Sequence, residues 1–244
     1  MTQNYSFHIS VLASVIFLNT CLADEIIPAP SGDPHYTKVG FFDIHVCNWP
    51  DRDNLFFMTL FSTYRFKDVN KIEVFTPDHR KLGEIGTAVY RLIKNKDKPE
   101  KRVFISQLDI PSSAQDGWYT SIITMKDGKK YEAKDYIIIH SMGIASGMQP
   151  AANANLEAVP QKLSWNKIEG AKYYQVFIKD EWEQHTIFTS ELLTKPELAV
   201  PKGLLKKGGY YSWRIHARDV NENVLLGDFN HGSLNAPIKF DIKE

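Results

Sequence analysis

Three clusters in this sequence have residue types and spacings that could do chemistry. His45-x-Cys47 puts an imidazole and a thiol two residues apart, on one face of a strand, as two metal ligands would stand. A zinc site takes three or four ligands and nothing nearby supplies the rest, so the expectation is a core cysteine beside a surface histidine. Asp219-x-Asn221-x-Asn223 opens like a calcium loop, but Val224 replaces the obligatory Gly and Asn230 stands where the loop ends in Glu. A turn between the last two strands fits better, because Asn tolerates positive φ. The third cluster is Leu205–Arg218, LKKGGYYSWRIHAR, where aromatic and basic residues crowd together as they would on a binding surface.

The motifs of catalysis are missing. The sequence has no HExxH, GxSxG, Walker loop, CxxC or Gly-rich dinucleotide fingerprint. Gly143-Ile-Ala-Ser-Gly147 has the wrong spacing for a nucleophile elbow, and motifs do not speak to a triad assembled from distant residues. The expectation is a non-catalytic protein without cofactor or metal. Lys+Arg and Asp+Glu both number 29, so the net charge is zero and nothing attracts nucleic acid or a generic anionic membrane.

The elements that must position these residues read as short strands. Lys71–Pro77, Arg102–Ser106, Tyr119–Thr124 and Tyr136–His140 are β-branched or aromatic and turn-bounded. Asp127-Gly128 signals a hairpin, since a tight turn needs positive φ. Leu55–Phe61 fits a buried strand or one buried helical turn. Small residues dominate Ser141–Pro160, which reads as a linker plus a short strand and divides the chain into pieces of domain size.

Lys162-Leu-Ser-Trp165, Gly170–Ile178 and the Leu205–Arg218 stretch together resemble a fibronectin type III domain over about the last ninety residues. Trp165 matches the family's second-strand Trp, and Tyr174, Val176 and Ile178 match its third strand. Leu205, Gly208, Tyr211, Trp213, Ile215 and Ala217 match its sixth, with Lys207 where Pro is usual. Asp116-Gly-Trp-Tyr119 is similar to the tyrosine corner of immunoglobulin-like sandwiches, one residue shorter. The resemblance implies an all-β protein of two tandem β-sandwich domains. Residues 24–145 would be immunoglobulin-like and 156–244 fibronectin type III-like, with a linker at 146–155.

Residues 1–23 read as a signal peptide. The apolar run Ile9–Leu18 is too short to span a membrane, and Cys21-Leu-Ala23 suits cleavage before Asp24, although no Lys or Arg leads the run. Leu18-Asn-Thr-Cys21 is also similar to a lipobox, so Cys21 is a candidate for lipidation and a membrane anchor. Either way the protein is expected to be exported, to the periplasm, or secreted or held at the cell surface.

Strand alternation assigns the aromatic-basic cluster to two faces. Tyr211, Trp213, Ile215 and Ala217 share the inward face, with Tyr211 as corner tyrosine, while Arg214, His216 and Arg218 point outward. On the neighbouring strand Tyr173, Gln175 and Phe177 point outward. Tyr173, Phe177, Arg214, His216 and Arg218 are therefore expected on one exposed face, where His216 would titrate near pH 6–7. Trp182, in the turn after the third strand, joins this candidate patch; Trp49-Pro-Asp-Arg-Asp53 is the matching loop in the first half. The expected function is binding or spacing, through contacts to a protein or glycan. The alternatives are an accessory carbohydrate-binding module of a secreted hydrolase, a cryptic secreted hydrolase, and a subunit of a cell-surface assembly.

Overall fold

The computed structural model describes residues 26–27, 32–94, 96, 99–219 and 229–244. The leader, Cys21, Asn221 and Asn223 lie outside the described residues. The first half holds β1 (Ile26–Ile27), β2 (Tyr36–Thr37), β3 (Gly40–Asn48), β4 (Phe56–Thr63), β5 (Val69–Phe75), β6 (Lys81–Glu84), β7 (Tyr90–Ile93), β8 (Lys101–Asp109), β9 (Gly117–Met125) and β10 (Lys130–Ile137). The second holds β11 (Ala154–Leu156), β12 (Lys162–Ser164), β13 (Tyr173–Asp180), β14 (His185–Thr189), β15 (Glu197–Ala199), β16 (Tyr210–Arg218), β17 (His231–Leu234) and β18 (Ile238–Ile242). The chain is all-β, and no helix among the described residues is long and apolar enough to cross a membrane.

Alternation builds two cores. In the first half Phe42, Ile44 and Val46 of β3, Phe57 and Phe61 of β4 and Phe104 of β8 pack against Ile72, Val74, Tyr119, Ile123 and Tyr131 of the sheet β1-β10-β9-β5-β6. The ambiguous Leu55–Phe61 stretch is thus strand, its Phe57 and Phe61 on the buried face. The expected Asp127-Gly128 hairpin joins β9 to β10, with Gly128 at φ 84°. In the second half Tyr174, Val176, Ile178, Tyr211, Trp213, Ile215 and Phe240 face Leu163 and Leu198 of the two-stranded sheet β12-β15. Trp165 stands edge-on to Tyr174, ring centroids 5.3 Å apart.

Each half closes with a tyrosine bonded to the chain just before its strand. The Tyr119 hydroxyl donates to the Gln115 carbonyl at 3.1 Å, and the Lys206 N–H donates to the Tyr211 hydroxyl at 3.0 Å.

The two halves share one sheet. β16 pairs with β13, β18 and β17, and β17 then lies parallel to β3, His231 opposite Val46 and Ser233 opposite Asn48. The result is an eleven-stranded sheet running from β11 to β7. Within the expected linker, Gln149 bridges to Ser164 and Ala154–Leu156 forms β11 parallel to β18, so this segment is tied into the second half.

Buried polar side chains hold the junction in register. His231 is buried, and its two ring nitrogens lie 2.6 Å from an Asp219 carboxylate oxygen and 2.6 Å from the Ile138 carbonyl. Asp219 also accepts the Asn230 and His231 N–H groups at 2.8 and 2.9 Å. Ser233 donates to the Gly143 carbonyl and Asn48 to that of Met142. On the far side of β3, buried Asp135 accepts the Ile44 N–H at 2.8 Å and lies 3.0 Å from His35, whose other nitrogen is 2.8 Å from Asp33.

Two predictions follow from these contacts. Tyr211→Phe loses a buried hydrogen bond and should cost about 1 kcal/mol in chemical denaturation, against little for Tyr210→Phe on the outward face; equal losses would refute the register. For His35, burial disfavours the charge, but the carboxylates of Asp135 and Asp33 outweigh it and raise the pKa from 6.5 to about 9. This contribution to stability is complete below pH 6.5 and fades as pH rises through about 9. The melting temperature should therefore fall across that window, and His35→Gln should be less stable at pH 6 with a flatter pH profile.

Candidate functional site

The outward faces of β3, β4, β8, β13 and β16 are polar or mixed because their alternate residues fill the two cores. Joining the halves through β17 turns these faces into the walls of a trough of about 670 Å³. Asp43, His45, Cys47 and Trp49 enter it from β3 and its end, and Met58, Leu60 and Ser62 from β4. Val103 and Ile105 enter from β8, Arg91 and Ile93 from β7, and Gln175, Phe177, His216, Arg218 and Phe229 from the second half.

The Phe229 ring organises the deep end. It stacks on His45 at 3.8 Å between centroids, meets His216 edge-on at 5.3 Å and lies 5.5 Å below the Arg218 guanidinium. The Phe229 carbonyl accepts a hydrogen bond from His45 Nδ1, and Asp43 lies 3.4 Å from His45 Nε2. Burial lowers the His45 pKa to about 4. Burial, with Arg218 and other nearby cations, lowers that of His216 to about 3. Both imidazoles are therefore neutral at physiological pH. Burial pushes the Cys47 thiol up to about 12, which removes the thiolate that reactivity requires.

The sequence-predicted patch is partly assembled and differently placed. Phe177, His216 and Arg218 line the trough, and Arg214 stands 5.6 Å over the Phe177 ring. Tyr173 pairs with Arg218 in the sheet without entering the trough. Trp182 is 71% exposed in the turn after β13, beside Tyr210 at 5.6 Å and apart from the others. The face expected to be open is instead a wall facing the first half, so the expected His216 titration near pH 6–7 is lost to burial. His45, expected at the surface, is buried too. Among the described residues no group of three His, Cys, Asp or Glu side chains could hold a metal.

Sequence reasoning missed Asp43, Arg91 and Phe229. One signal was available: Asp43 and His45 alternate with Phe42, Ile44 and Val46, placing two polar residues on one face of a strand that is buried on both. Arg91 and Phe229 carried no such mark, since their place depends on which strands meet.

No protein-family model matches the chain, and no curated protein matches it. Among solved structures it is similar to Tp47, the 47-kilodalton lipoprotein of Treponema pallidum, at 10% identity and a TM-score of 0.40, over 83% of this chain and 50% of that one. It is also similar to murine CEACAM1b at 14% identity and a TM-score of 0.24, over 82% of this chain and 99% of that one. This chain thus spans about half the length of the lipoprotein. Likeness at these scores says nothing of ligand or partner.

The deep end gives a packing test. A Cβ on Gly232 of β17 would lie 2.7 Å from Phe229 Cε2 and 2.8 Å from His216 Nε2, so both rings would have to move. Gly232→Ala should cost about 1–3 kcal/mol in urea denaturation. Gly86→Ala, where a Cβ would meet only Ser106 Oγ at 3.8 Å, should cost much less.

Proposed function

We propose that the protein is an exported, non-catalytic binding protein whose ligand lies in the trough across the shared sheet. One observation carries the reading: both halves contribute side chains to a single cavity of about 670 Å³, within the range of small-molecule sites. Its walls combine apolar side chains with a few convergent polar groups, as such sites do. Export rests on the apolar leader Ile9–Leu18 and the Ala23 cleavage pattern, with acylated Cys21 as the anchored form. We read the second half as fibronectin type III-like. The Trp165–Tyr174 contact, the Tyr211 hydroxyl bond and the inward set of β13 and β16 support this.

A subunit of a surface assembly is the second reading. It is favoured by the edge strand β7, which exposes Tyr90, Leu92 and Ile93 beside open backbone groups.

Native mass spectrometry of the protein from its own host tests these readings together. The expected result is a chain beginning at Asp24, carrying a noncovalent small molecule that Ile105→Trp, which adds bulk to the trough lining, loses without a change in melting. A wild-type protein without a bound small molecule would overturn the trough reading. Oligomers in its place would favour assembly through β7, and a lipid mass on Cys21 would identify the anchored form.

A further inference from the structure

The charges of the trough specify what it holds, if the binding reading above is right. Arg91 on β7 and Arg218 on β16 come from opposite halves. They are near enough that Arg91, after burial, lowers the pKa of Arg218, and both cations act on His216. Among the described residues neither guanidinium forms an ion pair with a carboxylate. Among those residues Arg218 donates to the Gln175 side-chain oxygen, at 3.1 Å, and stands over the Phe229 ring. Arg214 stands over the ring of Phe177, which lines the trough. The acidic lining residue, Asp43, sits at the deep end beside His45.

The chain as a whole has no net charge, so this local excess of cations is not a consequence of composition. Two like charges lining one cavity, with no carboxylate paired to either among the described residues, are a standing cost to the fold. Such a cost is relieved when an anion enters. The hydrogen-bonding inventory has the same sense. Trp49 Nε1 and Arg218 Nε can only donate, yet both are shut from solvent with no acceptor among the described residues, where His216 Nε2 also lacks a partner. With His45 and His216 neutral, Arg91 and Arg218 are the cations on which the charge of the trough rests. Beside the arginines the walls carry a run of apolar side chains: Met58 and Leu60 on β4, Val103 and Ile105 on β8, and Phe177 opposite.

We propose that the trough binds a small organic anion, its carboxylate between Arg91 and Arg218 and its apolar body along β4 and β8. A guanidinium pair suits a carboxylate because its planar donors meet the two oxygens in a fork. The enclosed volume suits a single small molecule, not a polymer.

Isosteric probes that differ in charge test this: 2-naphthoate, neutral 2-naphthamide and cationic 2-naphthylmethylamine, titrated calorimetrically into the full mature chain. Naphthoate should bind about tenfold or more tighter than the amide, as charge-assisted hydrogen bonds require. The amine should not bind. Arg91→Met and Arg218→Met should each remove most of the preference for the anion. Arg91 is exposed, so its variant tests the charge even if Arg218→Met disturbs folding. Decanoate in place of naphthoate distinguishes a fatty-acid ligand from an aromatic acid, and tight binding of either supports the class. Equal affinity for acid and amide, abolished by Ile105→Trp, would overturn the anion while leaving the binding reading intact. Tighter binding of the amine, or of a neutral oligosaccharide, would overturn it likewise. No binding of any probe would overturn the anion proposal, and the small molecule seen or not seen on the native protein then decides the binding reading separately.

Discussion

The parallel pairing of β17 with β3 is the interaction on which the rest of the architecture depends. β17 is short, only His231–Leu234, yet it bonds to β16 on one side and to β3 on the other. Without it the halves would be two sandwiches, each with an unpaired strand edge and an outward face open to water. With it, the outward face of β16 and that of β3 lie along one sheet, and polar side chains that alternation sent away from either core meet each other.

That geometry explains why the junction carries histidine and aspartate, His231 and Asp135 among them buried. A parallel pair gains less from its hydrogen bonds than an antiparallel one. Here it is held by side chains that also need partners of their own: His231 between Asp219 and the Ile138 carbonyl, Ser233 on Gly143, and Asn48 on Met142. His35 and Asp135 secure the other side of β3, Asp135 through the Ile44 amide. Each group is costly to bury alone and close to neutral when satisfied, so these bonds specify the register of the junction more than they add stability.

The trough departs from this pattern, and that contrast is informative. A few residues from the satisfied junction, Trp49, His216 and Arg218 retain buried nitrogens without a partner among the described residues, and Arg91 and Arg218 line the same cavity with no carboxylate paired to either there. Unmet donors and like charges lining one cavity are what the proposed ligand would satisfy.

What the sequence determined by itself is local. The period of two sorted β13 and β16 into inward and outward sets, because adjacent side chains on a strand must take opposite faces. Asp127-Gly128 marked its hairpin because the turn's backbone excludes most other residues. The Tyr211 corner was legible because its partner lies only five residues upstream. Alternation says which way Phe177, His216 and Arg218 point, but not what lies in front of them. That was decided by a strand pair joining residues more than 180 positions apart, specified by shape and hydrogen bonding and not by any local pattern. The same pairing made His216 a neutral, half-buried ring in place of an exposed one that titrates, and left Trp182 on the outside. It also brought Arg91, Asp43 and Phe229 into the site. Direction is a property of the strand, whereas environment is a property of the whole chain's packing, and only the tertiary structure supplies the second.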